Sequence, residues 1–191
     1  MNSSARGGGS APAFPEITIN TERLTLRALE PADAELVAEL YSDELSRQWT
    51  TVPQPYGSAE AEALVTGGKG FALGVTEFLT QRLVGVLRLR ATDWRLRATE
   101  AVVVIAPWAR GEGYAGESIL AVAQWLFEDQ KFERLELRTA SGNAAALQVA
   151  QKIGCVSEGV LRGAWLDRAP DAPPGSRSDV IVWSLLPEDF L

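Results

Sequence analysis

The sequence predicts a mixed α/β fold, in which a largely antiparallel sheet of about seven strands packs against about four helices. Seven runs of residues have the pattern of strands, and four segments have apolar residues at helical spacing. A short turn at 79–81 separates two of the strand runs, which favours an antiparallel hairpin. Helices mixed with hairpins indicate a mixed sheet and not a strictly alternating parallel one.

The N-terminal half begins with a tail and one long strand. Glycine, serine, alanine and proline dominate residues 1–15, which we predict to be a flexible tail without the apolar core of a secretory signal. Apolar and polar residues alternate from 17 to 29, as in a half-buried strand. Two helices are predicted next, one starting at Pro31 and one capped by Ser58, with a loop over 46–58 between them.

The C-terminal half carries the central strands. Three strand runs follow one another, and the third is continuously apolar from Ala101 to Ala106, as expected of a strand covered on both faces. A helix, a strand, a second helix capped by Asn143 and two last strands complete one predicted domain, residues 16–191. The elements predicted in this half cover residues 71–78, 82–92, 99–106, 116–130, 134–140, 143–155, 156–166 and 178–186.

Composition limits the classes of function. The 191 residues include one cysteine and no histidine, so an internal disulfide, a histidine-dependent triad and an imidazole zinc site are excluded. No apolar window approaches the length of a membrane span. The net charge of −7 disfavours sequence-independent nucleic-acid binding and suits a basic or amine-bearing partner. We therefore expect a cytoplasmic protein that binds neither nucleic acid nor membrane.

Three glycines in six residues mark the turn after the apolar strand. Gly111, Gly113 and Gly116 stand where a strand gives way to a helix. The start of a helix binds phosphate groups well, because its first backbone N–H groups are unpaired and its dipole is positive there. The spacing fits neither the Walker loop nor the dinucleotide-binding fingerprint. From the glycines alone, a phosphate site and a merely tight turn both stay open.

The motifs around these glycines resemble those of the GNAT N-acetyltransferases. The stretch Arg110–Ala115, "RGEGYA", resembles the R/Q-x-x-G-x-G/A signature of that family. "NAAALQVAQKIGC", residues 143–155, resembles its "N-x-x-A/S … K-x-G-F" helix. Residues 17–40 are similar to the opening of the branch that acetylates the N-termini of ribosomal proteins. The resemblance extends, in the family's element order, over nearly the whole chain after about residue 16.

The resemblance implies the fold of that family, with acetyl-CoA or another acyl-CoA as co-substrate and no metal. The acyl-CoA is expected in the notch where the fourth and fifth strands separate. Backbone N–H groups of the glycine turn would bind its pyrophosphate, and the end of the fourth strand would pair with its pantetheine arm. The residues so assigned are Val104, Ile105, Ala106, Arg110, Gly111, Gly113, Tyr114, Ala115, Gly116 and Asn143.

Glu100 is the candidate general base. Without histidine, a carboxylate is the first candidate to take a proton from an acceptor amine, and the resemblance implies this role for Glu100. The alternative for Glu100 is a solvated charge at the end of a strand. The family's usual proton donors are missing, because Ala146 and Ala150 stand in their places, and the general acid is unassigned. Cys155 is predicted to be a buried apolar residue and not a nucleophile.

Aromatic residues are predicted to line the acceptor side. By resemblance, the acceptor enters between the loop after the first helix and the last hairpin, which carry Trp49, Tyr56 and Trp165. Aromatic faces attract an ammonium, although partial burial in the core accounts equally well for these residues. The long loop 167–177 could act as a lid or a dimer contact, and the sequence leaves monomer and homodimer open.

Three functions follow from these observations. The first is transfer of an acetyl or other short acyl group from acyl-CoA to a primary amine of a peptide N-terminus, an amino acid or a small metabolite. The second is a non-catalytic acyl-CoA-binding or regulatory module on the same fold, which Ala146 and Ala150 favour. The third is an enzyme of nucleotides or phosphate metabolites, which the glycine spacing fits poorly.

Overall fold

The computed structural model describes residues 11–67 and 70–190 of the chain. These residues form one eight-stranded sheet with five α-helices, so the mixed α/β class predicted from the sequence is confirmed. In chain order the elements are β1 Ile19–Asn20, β2 Leu24–Ala28, α1 Ala34–Ser42, α2 Glu44–Trp49, α3 Ser58–Val65, β3 Phe71–Glu77, β4 Leu83–Asp93, β5 Ala98–Ile105, α4 Tyr114–Glu128, β6 Arg134–Ala140, α5 Ala144–Lys152, β7 Val156–Leu166 and β8 Arg177–Leu185.

The strands lie in the order β1-β2-β3-β4-β5-β6-β8-β7. Every neighbouring pair is antiparallel except β5 and β6, which run parallel. Helix α4 connects this parallel pair, as a crossover must. Among the described residues, no helix has the length and apolar character needed to cross a membrane.

The first predicted strand is in fact a hairpin. Strands β1 and β2 replace the single strand predicted over 17–29, because the chain turns at Thr21. The Thr21 hydroxyl accepts a hydrogen bond from the Leu24 N–H at 2.9 Å, and the Thr21 N–H donates to the Leu24 carbonyl at 2.9 Å. Residues 20–23 are all polar, and the apolar positions change from odd to even numbers across them, so the hydrophobic pattern does contain a signal that the single-strand prediction overlooked.

One helix was not predicted, and the predicted N-cap of another helix was wrong. Helix α2 occupies the start of the segment that was predicted as a loop, and the Asp43 carboxylate caps it by accepting from the Ser46 N–H at 3.1 Å. Helix α3 has Gly57 and not Ser58 as its N-cap. The Glu60 carboxylate accepts from the Gly57 N–H at 2.9 Å, so the first turn is closed from inside the helix.

Phe14 lies in the part of the chain predicted to be a flexible tail, yet it packs on the domain. Its ring centroid stands between 4.7 and 5.6 Å from four other aromatic rings, those of Phe71, Trp94, Trp125 and Phe132. The packed domain therefore includes residues before 16. Residues 1–10 of the predicted tail lie outside the described residues.

Two helical layers cover the faces of the sheet. On the first face α4 and α5 pack over the central strands, and Leu126 and Ala150 are fully buried there. On the second face α1 and α3 cover β4 and β5 through an apolar cluster that includes Val37 and Val104. The functional groups described below lie on this second face or at the border between the two layers.

Close packing of α4 on α5 depends on Gly116. A Cβ at this position would stand 2.9 Å from Cγ2 of Ile153, which is too close for two carbon atoms. We expect Gly116→Ala to lower the free energy of unfolding by about 1–3 kcal/mol, because neighbouring groups must move to admit the methyl group. Urea denaturation measures this loss. The same substitution should cost less in an Ile153→Ala background, and an equal cost in both backgrounds would contradict the explanation.

Candidate active site

The parallel pair β5 and β6 separates after three residues. Residues 98–100 pair with 134–136, and no later residue of β5 pairs with β6. Beyond that point β6 continues to Ala140 paired with β8 alone. The strands therefore diverge from Glu100 onward and open a notch within the sheet. This notch lies between the fourth and fifth predicted strands, where the resemblance placed the acyl-CoA.

Along β5, the backbone N–H and C=O groups of every second residue point toward the notch. The Ala106 N–H donates to the Val84 carbonyl at 2.8 Å, and the register of β4 and β5 is regular up to that point. Because bonding alternates along an antiparallel pair, Val104 and Ala106 direct their peptide groups to β4, whereas Val103 and Ile105 direct theirs into the notch. Of the three residues assigned from the sequence at the end of this strand, only Ile105 has this orientation, and Val103, which was not assigned, shares it.

The glycine turn joins β5 to α4 through two left-handed residues. Gly111 has a φ of +87°, and Gly113, the N-cap of α4, has a φ of +83°. This conformation costs other residues about 1–2 kcal/mol. A Cβ at Gly111 would meet no heavy atom within 4 Å, so the bare backbone borders open space. Free N–H groups at the positive end of α4 complete a cradle that fits a pyrophosphate.

The Arg110 side chain fastens this turn to the rest of the site. Its Nε donates to the Ile105 carbonyl at 3.1 Å, and its Nη2 donates to the Asp43 carboxylate at 2.5 Å. Partial burial would raise the pKa of Asp43, but hydrogen bonds from Arg110 and the Ser46 N–H bring that pKa below its ordinary value. Arg110 therefore links β5, the turn and α2.

Three more residues assigned to acyl-CoA also have structural roles. The Tyr114 hydroxyl donates to Glu77 at 3.1 Å, and Gly116 allows α4 to approach α5. Asn143 caps α5, since its Oδ1 accepts from the Ala146 N–H at 3.1 Å. The N–H groups of the first turn of α4 and the Asn143 Nδ2 are the groups that can still meet a ligand.

Glu100 is buried and paired with an arginine. It is 6% exposed, and its Oε1 accepts from Nη2 of Arg90 at 2.5 Å. Arg90 stands opposite Glu100 on β4, and its Nη1 donates to Thr51 at 3.2 Å in the loop after α2. Alternation along β5 places Glu100 on the same face as Val104, the face that α1 and α3 cover. Because its carboxylate is buried, Glu100 is not the solvated charge at the end of a strand that the sequence left as the alternative.

A network of ion pairs continues along the same face beyond Glu100. Glu136 of β6 accepts from Arg134 at 2.8 Å and from Arg138 at 2.6 Å, and Arg134 also donates to Glu158 of β7 at 2.6 Å. Hydrogen bonds from Arg134 and Ser184 lower the pKa of Glu158 to about 2. Sequence reasoning missed this network. The alternating charges of "RLELR" were its signal, since side chains two apart on a strand share a face.

The two positions where the resemblance expects a proton donor carry alanines. Both alanines lie on α5, where Ala150 is fully buried against α4 and Ala146 is half-buried. Burial raises the pKa of the Cys155 thiol to about 12, so near neutral pH Cys155 is an unreactive thiol.

The predicted acceptor residues lie between α2 and the last hairpin. The ring centroids of Trp49 and Trp165 stand 6.5 Å apart, whereas the Tyr56 ring packs at a tilt against the buried Tyr41, with the two centroids 4.7 Å apart. Trp49 also reaches the end of β6, because a Cβ at Gly142 would stand 3.2 Å from its Cη2. The notch thus has an aromatic wall on the second face of the sheet.

The fold and the site define an acyltransferase that takes its acyl group from acyl-CoA. A family model of the acetyltransferase (GNAT) domain matches residues 23–156, so the chain belongs to the GNAT acetyltransferase family. It is therefore an acyl-CoA-dependent N-acetyltransferase by family, as the sequence motifs indicated.

Individual relatives agree with this membership. YdaF of Bacillus subtilis, a presumed ribosomal N-acetyltransferase, is 26% identical over 181 residues, which cover 88% of this chain and 94% of YdaF. Spermidine N(1)-acetyltransferase of Vibrio cholerae is 28% identical over 144 residues, which cover 73% of this chain and 82% of that protein.

Solved structures support the fold. A GNAT-family acetyltransferase from Bacillus anthracis has a TM-score of 0.76 at 24% identity, with 90% of this chain and 99% of that chain covered. The ribosomal-protein-S5-alanine acetyltransferase of Vibrio fischeri has a TM-score of 0.74 at 15% identity, with 92% and 100% covered. At such low identities these structures establish the architecture alone.

Proposed function

We propose that the chain transfers an acetyl group from acetyl-CoA to a primary amine, with Glu100 as the general base. The observation that carries the proposal is the layout of β5, which has the buried carboxylate where the notch opens and leads to the glycine turn at its other end. The five steps along the strand from Glu100 to Ile105 span about 17 Å. A single strand thus connects a group that can take a proton with a cradle for a pyrophosphate.

Backbone groups are proposed to hold acetyl-CoA. The N–H groups of Gly111, Gly113 and the first turn of α4 would bind the pyrophosphate. Val103 and Ile105 would pair with the extended arm as with an added strand, and Asn143 would donate from its Nδ2. When bound, acetyl-CoA supplies the acyl group as a thioester, whose carbonyl carbon an amine can attack.

Glu100 would make the acceptor nucleophilic by removing a proton from its ammonium, directly or through water. Arg90 binds Oε1, so Oε2 is the atom proposed to take that proton. The neutral amine nitrogen then forms a C–N bond as the C–S bond of the thioester breaks. It loses its second proton to solvent, and an N-acetylated amine and coenzyme A result. Solvent supplies the proton that the sulfur requires, because Ala146 and Ala150 have none to give.

The acceptor is proposed to be a primary amine bound against Trp49, Tyr56 and Trp165. The similarity to a presumed ribosomal N-acetyltransferase and to a spermidine acetyltransferase supports either a protein N-terminus or a small amine. Aromatic faces provide an apolar wall and attract an ammonium by cation–π interaction.

A non-catalytic acyl-CoA-binding module is the second candidate function. Ala146 and Ala150 favour it, because they remove the side chains that would protonate the leaving group. Both candidates require binding of acetyl-CoA, and only the first requires turnover.

Thermal unfolding and thiol release together separate these functions. We expect acetyl-CoA at a hundred times its Kd to stabilise the protein by about 2.7 kcal/mol, whereas ATP and NAD leave the Tm unchanged. Addition of a panel of amines and N-terminal peptides should then release free thiol from acetyl-CoA. Stabilisation without thiol release from any acceptor would favour the binding module. Stabilisation by ATP or NAD but not by acetyl-CoA would contradict both.

A further inference from the structure

We infer that the acceptor amine carries a carboxylate, and that Arg47 and Arg168 form the site that binds this carboxylate. The inference rests on the proposed function, because it concerns the acceptor of the same transfer. The net charge of −7 suits a basic or amine-bearing partner and does not by itself indicate an acceptor with an anionic group. The groups around Glu100 and an adjoining cavity carry it.

A cavity of about 820 Å³ lies between α2, the loop after it and the loop that joins β7 to β8. It is open to solvent on one side and large enough to admit a small molecule. Of the described residues that line it, two are arginines, Arg47 and Arg168, and one carries a carboxylate, Glu44. Among the residues that the structure describes, neither arginine takes part in an ion pair. Their charges are therefore available to an anionic ligand.

The two guanidinium groups can bind a carboxylate. Nη1 of Arg168 donates to the Val52 carbonyl at 2.8 Å, which holds the side chain in place and leaves its other N–H groups for a ligand. A guanidinium binds a carboxylate of a ligand through two parallel N–H···O bonds. An ammonium group of a ligand has no acceptor atom and cannot form these bonds. The cavity thus recognises an anion more readily than a second amine.

One loop connects this cavity with Glu100. Arg90, the partner of Glu100, donates to the Thr51 hydroxyl at 3.2 Å, and the next residue, Val52, accepts from Arg168. Tyr56, one of the predicted acceptor residues, follows in the same loop and lines the cavity. An acceptor whose amine lies at Glu100 can therefore place its carboxylate between Arg47 and Arg168 by extending along this loop.

A polyamine meets unfavourable charges in this part of the molecule. Arg90 already neutralises Glu100, and Glu136 is bound by two arginines. Arg88 lies two residues from Arg90 and therefore on the same face of β4. The second positive charge of a polyamine would approach Arg47 and Arg168, where like charges repel. The expected acceptor is thus unlike the substrate named for the spermidine acetyltransferase relative.

A series of ω-amino acids tests the inference and measures the distance to the arginines. Acetyl transfer to glycine, β-alanine, 4-aminobutyrate and 6-aminohexanoate is compared with transfer to their carboxamides and to spermidine. Each rate is measured across pH, so that differences in the pKa of the amine are separated from binding. At one chain length the acid should have a KM at least about tenfold below that of its amide. Peptides beginning Ala-Asp and Ala-Asn distinguish a peptide source of the carboxylate from a free amino acid.

Variants of the two arginines provide the second test. Arg47→Gln and Arg168→Gln should each raise the KM for the preferred acid about tenfold and leave the KM for its amide unchanged. Arg95→Gln changes an exposed arginine in the turn after β4 and should alter neither KM. Equal KM values for acids and amides, a preference for spermidine, or equal losses for acid and amide in the variants would overturn the inference.

Failure of the proposed function gives a different result. If no amine of any class is acetylated, the proposed transfer fails, but the arginine site is still testable by binding. N-acetylated ω-amino acids and their amides are titrated into the protein with calorimetry. Tighter binding of the acids that is lost in Arg168→Gln supports the site, and equal binding of acids and amides overturns it.

Discussion

Replacing Glu100 with glutamine should lower kcat by about a hundredfold or more while the Kd of acetyl-CoA is unchanged. Glutamine keeps the size of the side chain, and its carbonyl oxygen can still accept from Arg90, but it cannot take a proton. The loss should become smaller as the pH rises, because a growing fraction of the acceptor amine is deprotonated without help from the protein. Steady-state thiol release and calorimetric titration with acetyl-CoA measure the two quantities.

Glu136→Gln is the matched control for this experiment. Glu136 pairs with Glu100 in the register of β5 and β6, shares its face and is also bound by arginines. It lies on the strand that carries no part of the proposed co-substrate cradle, so its replacement should leave kcat nearly unchanged. Equal losses in the two variants, or full activity in Glu100→Gln, would show that Glu100 is not the base.

Gly111→Ala should weaken acetyl-CoA binding by about tenfold to a hundredfold. The new methyl group would point into open space beside the bare backbone, where we propose that the pyrophosphate binds. The φ of +87° also adds strain of about 1–2 kcal/mol to the folded protein. Calorimetry measures the loss of affinity, and urea denaturation measures the loss of stability.

Gly154→Ala separates strain from lost binding. Gly154 follows α5, has a φ of +83°, and its added Cβ would likewise meet no heavy atom within 4 Å. Both variants should therefore lose similar stability, but only Gly111→Ala should lose affinity for acetyl-CoA. Equal affinities in the two variants would exclude the glycine turn as the pyrophosphate site.

The predictable parts of the fold are those that depend on patterns within one element. The apolar run 101–106 predicted a central strand, and β5 does lie between β4 and β6. The hairpin at Thr21 and the helix α2 were missed, because they depend on hydrogen bonds that the Thr21 and Asp43 side chains accept from backbone N–H groups. Short polar residues are common in loops as well as in caps, so their presence alone predicts neither element.

The sequence motifs of the candidate site were predictable, but the contacts between residues far apart in the sequence were not. The glycine turn and Glu100 follow from local sequence and resemblance. The choice of Val103 over Val104 as a notch-facing residue depends on the hydrogen-bond register of β4 against β5, which no motif contains. The ion pair of Glu100 with Arg90 likewise joins two strands across a hairpin, and Arg168 reaches Val52 from the far end of the chain.

A crystal structure of the protein with acetyl-CoA tests the central claim most directly. The claim predicts the pyrophosphate at the N–H groups of Gly111, Gly113 and the first turn of α4, and the extended arm paired with Val103 and Ile105 between β5 and β6. It also predicts that the thioester lies on the side of the notch where Glu100 stands. Acetyl-CoA bound outside this notch, or a thioester remote from Glu100, would contradict it.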